Sequence, residues 1–385
     1  IPGSALLGAL AHLASQRCDL SDPEAYRDFV AIFRRGGVVF PMLYPAYEYN
    51  NFLYPTIPAP LGLLTCSAVP FVAYEEGHSV YAYPDPAVAR GRCPRCENRL
   101  RPVDGFVILR RRERFTLLQG RSSELHIQVD EATQRVKKGQ LFSYTVLDAG
   151  QYFAGELLCA GENTWKRLQE MTGIAERSPH TLRLGKARSR GYGQVTVWLE
   201  RCDDHPPTWV QLSLEARVGD VSQPVSLTLL TDTIVADLWG REAVGFGHDW
   251  LEEVLELGRV EILDAYVRTR PVDSFNTTVG LPRWRDVAMV AGSVVWFKLL
   301  SPPGDWRERM RQLEIEGVGL RRNEGFGRVA FNHPVYNQRS ALEDVGIPLP
   351  EELWLKGRFG KDAFTERWER ELAFIFRDVD LAAKI

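Results

Sequence analysis

Two short stretches of the chain decide how we interpret its architecture. Residues 184–195 read Leu-Gly-Lys-Ala-Arg-Ser-Arg-Gly-Tyr-Gly-Gln-Val, and residues 319–329 read Gly-Leu-Arg-Arg-Asn-Glu-Gly-Phe-Gly-Arg-Val. Both end in glycine, an aromatic residue, glycine, one further residue and valine, and both carry basic residues just upstream. Each leads into an apolar run that predicts a β-strand. The recurrence predicts two related halves, each with its own glycine-rich loop.

The chemistry of the two stretches suits RNA. Glycines let a backbone approach a phosphate closely and adopt positive φ, so that consecutive N–H groups can hold an anion. Arginine supplies forked donors to phosphates, and an aromatic ring can stack on a base. The predicted RNA-binding residues are Gly185, Lys186, Arg188, Ser189, Arg190, Gly191, Tyr192 and Gly193 in the first stretch, and Arg321, Arg322, Asn323, Gly325, Phe326, Gly327 and Arg328 in the second.

The alternative for such loops is a pair of turns with a purely structural role, and their recurrence in both halves favours function. Neither stretch matches a P-loop or a dinucleotide-binding fingerprint, because Gly185-Lys186 is not followed by Ser or Thr. Nucleotide hydrolysis is therefore not expected. Tyr192 and Phe326 have a structural alternative as well, since they can pack under their loops.

The composition is that of a soluble globular protein with two domains. The chain has 385 residues, 45% of them hydrophobic and 25% charged, and a net charge of −3. Because the whole protein is not basic, a nucleic-acid site needs local clusters of basic residues, and these occur at residues 92–114 and 183–190. No apolar run approaches the ~20 residues of a membrane helix. Six cysteines spread along the chain fit a reducing compartment.

The periodicity predicts an α+β fold. We expect helices at residues 5–15 with Ser4 as N-cap, 23–34, 164–172 and 305–313, and mostly loop at 38–64. Strands are expected at 106–118, 123–129, 140–147, 152–159, 181–184, 194–200, 209–216, 225–230, 261–268, 293–299 and 328–331. The polar, proline-bearing segment 203–207 marks a boundary between residues 1–205 and 206–335. Residues 336–385 are predicted to form a helical tail.

A Cys-rich insertion at residues 66–105 carries a candidate zinc site. Cys93 and Cys96 form a Cys-x-x-Cys pair, whose spacing lets two thiolates bind one ion. Cys66 and His78 lie upstream and complete a set of four candidate ligands for a structural zinc ion. An irregular insertion with little apolar content gains much from a metal ion. The alternative, a redox motif, lacks a thioredoxin-like βαβ context.

No recognisable catalytic constellation is present among the seven histidines. His126 and His180 are expected near the first glycine loop, where a histidine could act on a ribose 2′-OH as in a metal-independent ribonuclease. The alternative is a histidine that binds RNA or fills a strand, and we favour it. The protein is therefore expected not to be an enzyme.

The sequence resembles the CRISPR-associated RAMP superfamily. The opening segment Ile-Pro-Gly-Ser-Ala-Leu-Leu-Gly-Ala-Leu at residues 1–10, both glycine stretches and the segment 128–155 carry this resemblance. The cysteine insertion and residues 280–293 are similar to the large RAMP subunit of type III-D effector complexes. The resemblance implies two ferredoxin-like (RRM-like) domains, the first of which lacks its N-terminal strand here.

The resemblance also implies a function and a set of partners. Such a subunit binds the 5′ handle of the crRNA in an antiviral ribonucleoprotein, beside a large signalling subunit and backbone RAMP subunits, with target RNA nearby. It is not itself a nuclease and resides in a prokaryotic cytoplasm, without contact with a membrane. Two alternatives stay open: a RAMP endoribonuclease that processes or cuts RNA, and a scaffold whose loops contact neighbouring subunits.

Overall fold

The structure is a computed structural model, and it describes most of the chain. The described residues are 1–49, 52–68, 81–82, 91–110, 113–117, 120–129, 136–201, 213–237, 239–276, 280–336 and 375–378. Among them, helices and β-strands are interspersed in both halves of the chain, as the sequence predicts for an α+β protein. No helix in these ranges has the length and apolar content needed to span a bilayer.

Within the described part of the chain, five segments form α-helices. They are α1 (Gly3–Arg17), α2 (Pro23–Phe33), α3 (Glu162–Thr172), α4 (Leu214–Arg217) and α5 (Trp306–Glu316). In α2, the Asp22 side chain accepts a hydrogen bond from the Ala25 N–H, and proline occupies the first helical position. Helix α3 ends at Gly173, whose φ of 71° lies in the left-handed region that glycine tolerates.

The first half contains many strands, most of them short. They are β1 (Val38–Val39), β2 (Tyr44–Tyr49), β3 (Phe52–Pro55), β4 (Ile57–Pro58), β5 (Leu63–Cys66), β6 (Tyr81–Ala82), β7 (Leu100–Pro102), β8 (Phe106–Arg110), β9 (Glu113–Leu117), β10 (Arg121–Val129), β11 (Val136–Leu147), β12 (Tyr152–Ala154), β13 (Leu158–Cys159), β14 (His180–Arg183) and β15 (Gln194–Val197).

The second half and the C-terminal segment supply the remaining strands. They are β16 (Val225–Leu229), β17 (Val235–Ala236), β18 (Glu242–Ala243), β19 (Arg259–Tyr266), β20 (Thr269–Val272), β21 (Phe275–Asn276), β22 (Leu281–Pro282), β23 (Asp286–Met289), β24 (Val294–Ser301), β25 (Val329–Phe331) and β26 (Ile375–Asp378).

A six-stranded antiparallel sheet organises the first half, in the order β14-β15-β26-β12-β2-β3. Strand β26 lies between β12 and β15 and pairs with both. The apolar sides of α1, α2 and α3 and the inward residues of β12, β14 and β15 share one hydrophobic core, in which Leu10, Phe33, Phe153 and Val197 are almost fully buried. This core fixes β14 and β15, and hence the first glycine loop between them.

A four-stranded antiparallel sheet organises the second half, in the order β19-β24-β16-β25. Every residue of β16 is buried, because the strand is central in the sheet. Helix α5 packs on the sheet through Met310 and Leu313, in one core with Phe297 and Phe331. The second glycine loop lies between α5 and β25 and is held at both ends by this core.

Smaller sheets extend from these two. Strands β4, β8 and β9 form one three-stranded sheet, and β6, β5 and β7 form another that carries the cysteines. The long strands β10 and β11 pair only with each other among the described strands and form a hairpin. This hairpin approaches the first glycine loop.

Several sequence-based predictions of the elements are wrong. Residues 38–64 were expected to be mostly loop, but their described part contains five short strands. Of these, β1, β2 and β4 pair with the distant β13, β12 and β8, β3 pairs with β2, and β5 pairs with β6 and β7. Ser4 lies inside α1, which has no side-chain cap. Residues 214–217 form a helix where a strand was expected. Within the predicted helical tail, the described residues Ile375–Asp378 form a strand, and the remainder lies outside the described residues.

Candidate functional site

The two glycine loops have the same backbone conformation. Each contains a single 3₁₀ turn, Arg188–Arg190 in the first and Arg322–Glu324 in the second. Four residues with positive φ recur at equivalent positions, and their values agree within 5°. The pairs are Gly185 (78°) with Gly319 (77°), Ala187 (57°) with Arg321 (56°), Gly191 (93°) with Gly325 (90°), and Gly193 (75°) with Gly327 (80°). The sequence repeat is therefore a structural repeat.

The last glycine of each loop is required by close backbone approach. The Leu184 N–H donates to the Gly193 carbonyl at 2.8 Å, and the Val318 N–H donates to the Gly327 carbonyl at the same distance. A Cβ atom on Gly193 would lie 1.8 Å from the Leu184 carbonyl oxygen, and one on Gly327 would lie 1.8 Å from that of Val318. Both positions exclude every side chain.

The first glycine loop (residues 185–193) lies at the surface, and its basic side chains are accessible to solvent. Lys186, Arg188 and Arg190 are exposed. The Arg183 guanidinium donates to the Arg188 carbonyl at 2.7 Å and adds a further positive charge to the loop. Within the described ranges, none of these four side chains forms an ion pair with a carboxylate. Cations without such partners are free to bind phosphates.

Two side chains of the first loop contact the β10–β11 hairpin. Arg190 Nη1 donates to the Tyr144 hydroxyl at 3.0 Å, and its guanidinium carbon lies 5.7 Å from the centre of the Phe142 ring. The Tyr192 hydroxyl donates to a Glu124 carboxylate oxygen and lies 3.0 Å from His126 Nε2. The hydrogen bond to Glu124 raises the pKa of Tyr192. Loop and hairpin therefore form one surface.

In the second glycine loop (residues 319–327), the buried charges are paired with one another. Arg321 donates to Glu324 at 2.6 Å and to Asp286 at 2.7 Å, and Arg283 donates to Glu324 at 2.8 Å. The Arg321 guanidinium also lies 5.0 Å from the centre of the Phe326 ring, and Phe326 is buried. Burial alone would raise the pKa of Glu324, but hydrogen bonds from Arg321 and Arg283 outweigh it and hold that pKa below its usual value.

The second loop also packs against the first half of the chain. The Phe40 N–H donates to the Asn323 carbonyl at 3.0 Å, and a Cβ atom on Gly325 would lie 2.6 Å from the Phe40 carbonyl oxygen. Arg322 is half-exposed, with Nη1 3.7 Å from a Glu316 carboxylate oxygen. Arg328 is buried and donates to the Ile315 carbonyl at 2.5 Å, and burial lowers its pKa to about 10. Of this loop's predicted RNA ligands, Arg322 is the basic side chain that reaches the surface.

Three of the four predicted metal ligands come together. The Sγ atoms of Cys66, Cys93 and Cys96 all lie within 4.8 Å of one another, with Cys66 and Cys96 3.4 Å apart. Tetrahedral zinc with Zn–S bonds of 2.3 Å places its sulfurs about 3.8 Å apart, so the three thiols fit such an ion with small adjustments. The fourth predicted ligand, His78, lies outside the described residues.

Backbone hydrogen bonds form a tight turn around Cys93 and Cys96. The Cys93 N–H donates to the Asn98 carbonyl at 2.8 Å, and the Glu97 N–H donates back to the Cys93 carbonyl at 2.9 Å. Asn98 Nδ2 donates to Cys96 Sγ at 3.3 Å and is the main cause that lowers the pKa of Cys96 to about 7. Burial raises the pKa of Cys66. The thiolate form of Cys96 is therefore more readily available to a cation than that of Cys66.

The two histidines considered for catalysis have different surroundings. His180 Nε2 accepts a hydrogen bond from the Ala175 N–H at 2.9 Å, which gives that nitrogen a structural role in a turn. His126 instead lies beside Tyr192, with Glu124 3.6 Å away. Glu124, Phe142 and Tyr144 were not among the predicted site residues. Polar and apolar residues alternate along β10, and this alternation would have placed Glu124 and His126 on one face.

Comparisons with known proteins give only distant structural similarity. No protein-family model matches the chain, and no curated protein matches it. A chain from the cryo-EM structure of the Type III-B Cmr-beta bound to cognate target RNA is 10% identical, with a TM-score of 0.31 over 77% of this chain and 76% of that chain. A chain from the same kind of complex bound to cognate target RNA and AMPPnP, in state 1, is 10% identical, with a TM-score of 0.35 over 82% of this chain and 80% of that chain. Both TM-scores are low, so the functional conclusion rests on the geometry of the loops.

Proposed function

We propose that this protein binds single-stranded RNA through its first glycine loop, as a non-catalytic subunit of a type III CRISPR effector complex. The observation that carries the proposal is the contrast between two loops whose positive φ values agree within 5°. The second loop neutralises Arg321 with Glu324 and Asp286, whereas the first exposes Lys186 and Arg188 without carboxylate partners among the described residues. Exposed arginines beside positive-φ glycines suit a phosphate backbone.

Two ferredoxin-like units are part of the proposal. In the second half, β16, a helical turn at Trp250–Val254, β19, β24, α5 and β25 occur in this chain order, and the four strands form a sheet in the order β19-β24-β16-β25. With β17, β18 and β20–β23 inserted between these elements, their order supports assigning the second half to the βαββαβ arrangement of a ferredoxin-like unit. In the first half, β15-β26-β12-β2 follows the same spatial order, with β26 in the position of the first strand. Each glycine loop then directly precedes the last strand of its unit.

The RNA we propose is the crRNA, bound at its 5′ handle. This assignment rests on the resemblance of residues 1–10 and of both glycine loops to the RAMP superfamily. The backbone subunits, the large signalling subunit and target RNA are proposed as neighbours on the same ground, and a zinc ion held by Cys66, Cys93, Cys96 and His78 is proposed as a structural element. The type III-D subtype and a cytoplasmic setting belong to this proposal as well.

The test compares two RNAs on the purified protein. A crRNA with its 5′ handle and one without it are titrated in a filter-binding assay across a salt series. We expect tighter, salt-dependent binding of the RNA that carries the handle, because the loop contacts phosphates at a defined place. Equal affinity for the two RNAs would remove the handle assignment. Absence of binding to both would remove the RNA-binding function.

A second function is favoured by one observation, the set formed by His126, Tyr192 and Glu124. A histidine beside an exposed phosphate-binding loop has the placement of a general base in metal-independent RNA cleavage. Incubation of labelled repeat RNA with the protein, with and without EDTA, separates the two functions. Cleavage in both conditions that is lost in His126→Ala would establish a ribonuclease, and intact RNA would exclude one.

A further inference from the structure

The β10–β11 hairpin has two faces of different chemistry. On one face, Leu125, Ile127 and Leu141 are 53–70% exposed. The opposite face, directed toward the first glycine loop, carries Glu124, His126, Phe142 and Tyr144, all of them partly buried. The pairing of the strands sets this division, since His126 lies opposite Phe142 and Glu124 opposite Tyr144. The hairpin thus presents an aromatic surface beside the loop's open cations.

The aromatic surface is built as a stacking platform. The rings of His126 and Phe142 are nearly parallel, with 15° between their planes and 5.6 Å between their centres. Tyr144 meets both of them edge-on, at 5.1 Å from His126 and 5.4 Å from Phe142. Arg190, which belongs to the glycine loop, closes one side of the platform through its contacts with Phe142 and Tyr144. An unstacked base finds both aromatic and guanidinium planes in such a place.

The platform has a polar edge that accepts hydrogen bonds. One carboxylate oxygen of Glu124 accepts from the Tyr192 hydroxyl, and within the described residues the other has no hydrogen-bond donor. A carboxylate reads donors on a base edge, such as the exocyclic amino groups of cytosine, adenine and guanine. Uracil has no exocyclic amino group, and its one edge donor, N3–H, lies between two carbonyl oxygens that repel a carboxylate. The edge therefore favours an amino-bearing base.

We propose that this platform, formed by His126, Phe142 and Tyr144 with Glu124 at its edge, holds one amino-bearing nucleobase of the RNA whose phosphate lies on the first glycine loop. The inference rests on the proposed RNA-binding function and adds a base-specific subsite to it. Arg190 and Tyr192 connect the two parts, because they belong to the loop and contact the platform. Phosphate contacts fix the position of the strand, and the platform reads one base.

The experiment is an abasic scan. Single-stranded RNA oligonucleotides, each lacking one base in turn, are titrated against the wild-type protein and Phe142→Leu. In the wild type, loss of one particular base is expected to weaken binding about tenfold, the size of a single stacking contact. In Phe142→Leu, loss of the base at that position is expected not to change the affinity. The variant then binds intact RNA about as weakly as the wild type binds the abasic RNA. A uridine at that position is expected to restore only part of the affinity, and Glu124→Gln removes the difference between uridine and the amino-bearing bases.

Two variants and one fluorescence measurement make the outcome unambiguous. Leu141→Ser changes the opposite face of the same hairpin and is expected to leave the scan unchanged, whereas Arg188→Ala weakens intact and abasic RNA equally. RNA carrying 2-aminopurine at the sensitive position reports stacking directly, as quenching in the wild type that is lost in Phe142→Leu. If the wild type binds RNA and Arg188→Ala weakens it, yet no position is sensitive to base loss, the platform is excluded while the RNA-binding function stands. If the wild type binds no RNA, both are excluded.

Discussion

Arg190 and Glu324 occupy the same position in the two glycine loops, yet their surroundings are opposite. Arg190 is exposed and donates to the Tyr144 hydroxyl of the neighbouring hairpin. Glu324 is buried and accepts hydrogen bonds from Arg283 and Arg321. Because the backbones of the two loops agree, differences in charge such as this one separate a loop that offers cations to a ligand from a loop that neutralises its own.

The first prediction concerns the open cations of the first loop. Arg188→Ala is expected to weaken RNA binding and to lower the slope of log K against log salt concentration by about 0.7, the value of one phosphate contact to a single strand. Filter binding across a salt series measures both quantities. The matched control is Arg322→Ala, the equivalent residue of the second loop, which lies 3.7 Å from Glu316. An equal loss in the two variants would show that both loops bind RNA.

The second prediction separates two glycines of the first loop. Gly193→Ala is expected to lower the free energy of unfolding by more than about 2 kcal/mol, because a Cβ atom would add a collision with the Leu184 carbonyl to the cost of positive φ. Gly185→Ala meets open space and is expected to cost about 1 kcal/mol from its φ of 78° alone. Urea denaturation of both variants measures the difference. Equal costs would contradict the close approach of Leu184 and Gly193.

The third prediction concerns the buried carboxylate of the second loop. Glu324→Ala is expected to lower the free energy of unfolding by about 3 kcal/mol, because Arg321 and Arg283 lose a buried partner. Arg190→Ala, at the equivalent exposed position, is expected to cost less than about 1 kcal/mol. Chemical denaturation of the two variants measures how much free energy of unfolding each one loses. Similar losses would contradict the stabilising role of the buried Glu324 carboxylate.

The fourth prediction follows from the lowered pKa of Glu324. A carboxyl whose pKa is lower in the folded state contributes stability that is complete above its unfolded pKa of about 4.3 and is lost as pH falls through the folded value. We expect the stability difference between wild type and Glu324→Gln to be constant near neutral pH and to shrink in this acidic range. Urea denaturation at several pH values measures it. A difference that persists at the acidic end would contradict the role of the charge.

The fifth prediction concerns the three clustered thiols. In metal-free protein, iodoacetamide is expected to modify Cys96, whose pKa is lowered to about 7, well before Cys159, whose pKa burial raises to about 11. Zinc is expected to protect Cys96 and to leave the rate at Cys159 unchanged. Mass spectrometry of the alkylated peptides reads out both sites. Cys93→Ser is expected to abolish the protection, and full reactivity of Cys96 with zinc present would exclude the metal site.

Two helix boundaries and the glycine repeat were predictable from local signals. Helix α2 begins at its capping residue Asp22, and α3 ends at Gly173, as capping preferences require. Strands such as β2 and β4 were not predictable, because they depend on the partners β12 and β8 that lie far away in the sequence. The strand at Ile375–Asp378 was missed for the same reason, since β12 and β15 together hold it.

The same distinction between local signals and distant contacts applies to the candidate site. The sequence by itself determined the backbone of both loops, because positive φ at Gly193 and Gly327 depends on the sterics of each residue and its neighbours. It also determined the close spacing of Cys93 and Cys96. Only the tertiary structure decided which loop is exposed. Residues distant along the chain bury the side chains of the second loop or pair with them. Charge availability is a property of packing, and packing depends on contacts that no local pattern contains.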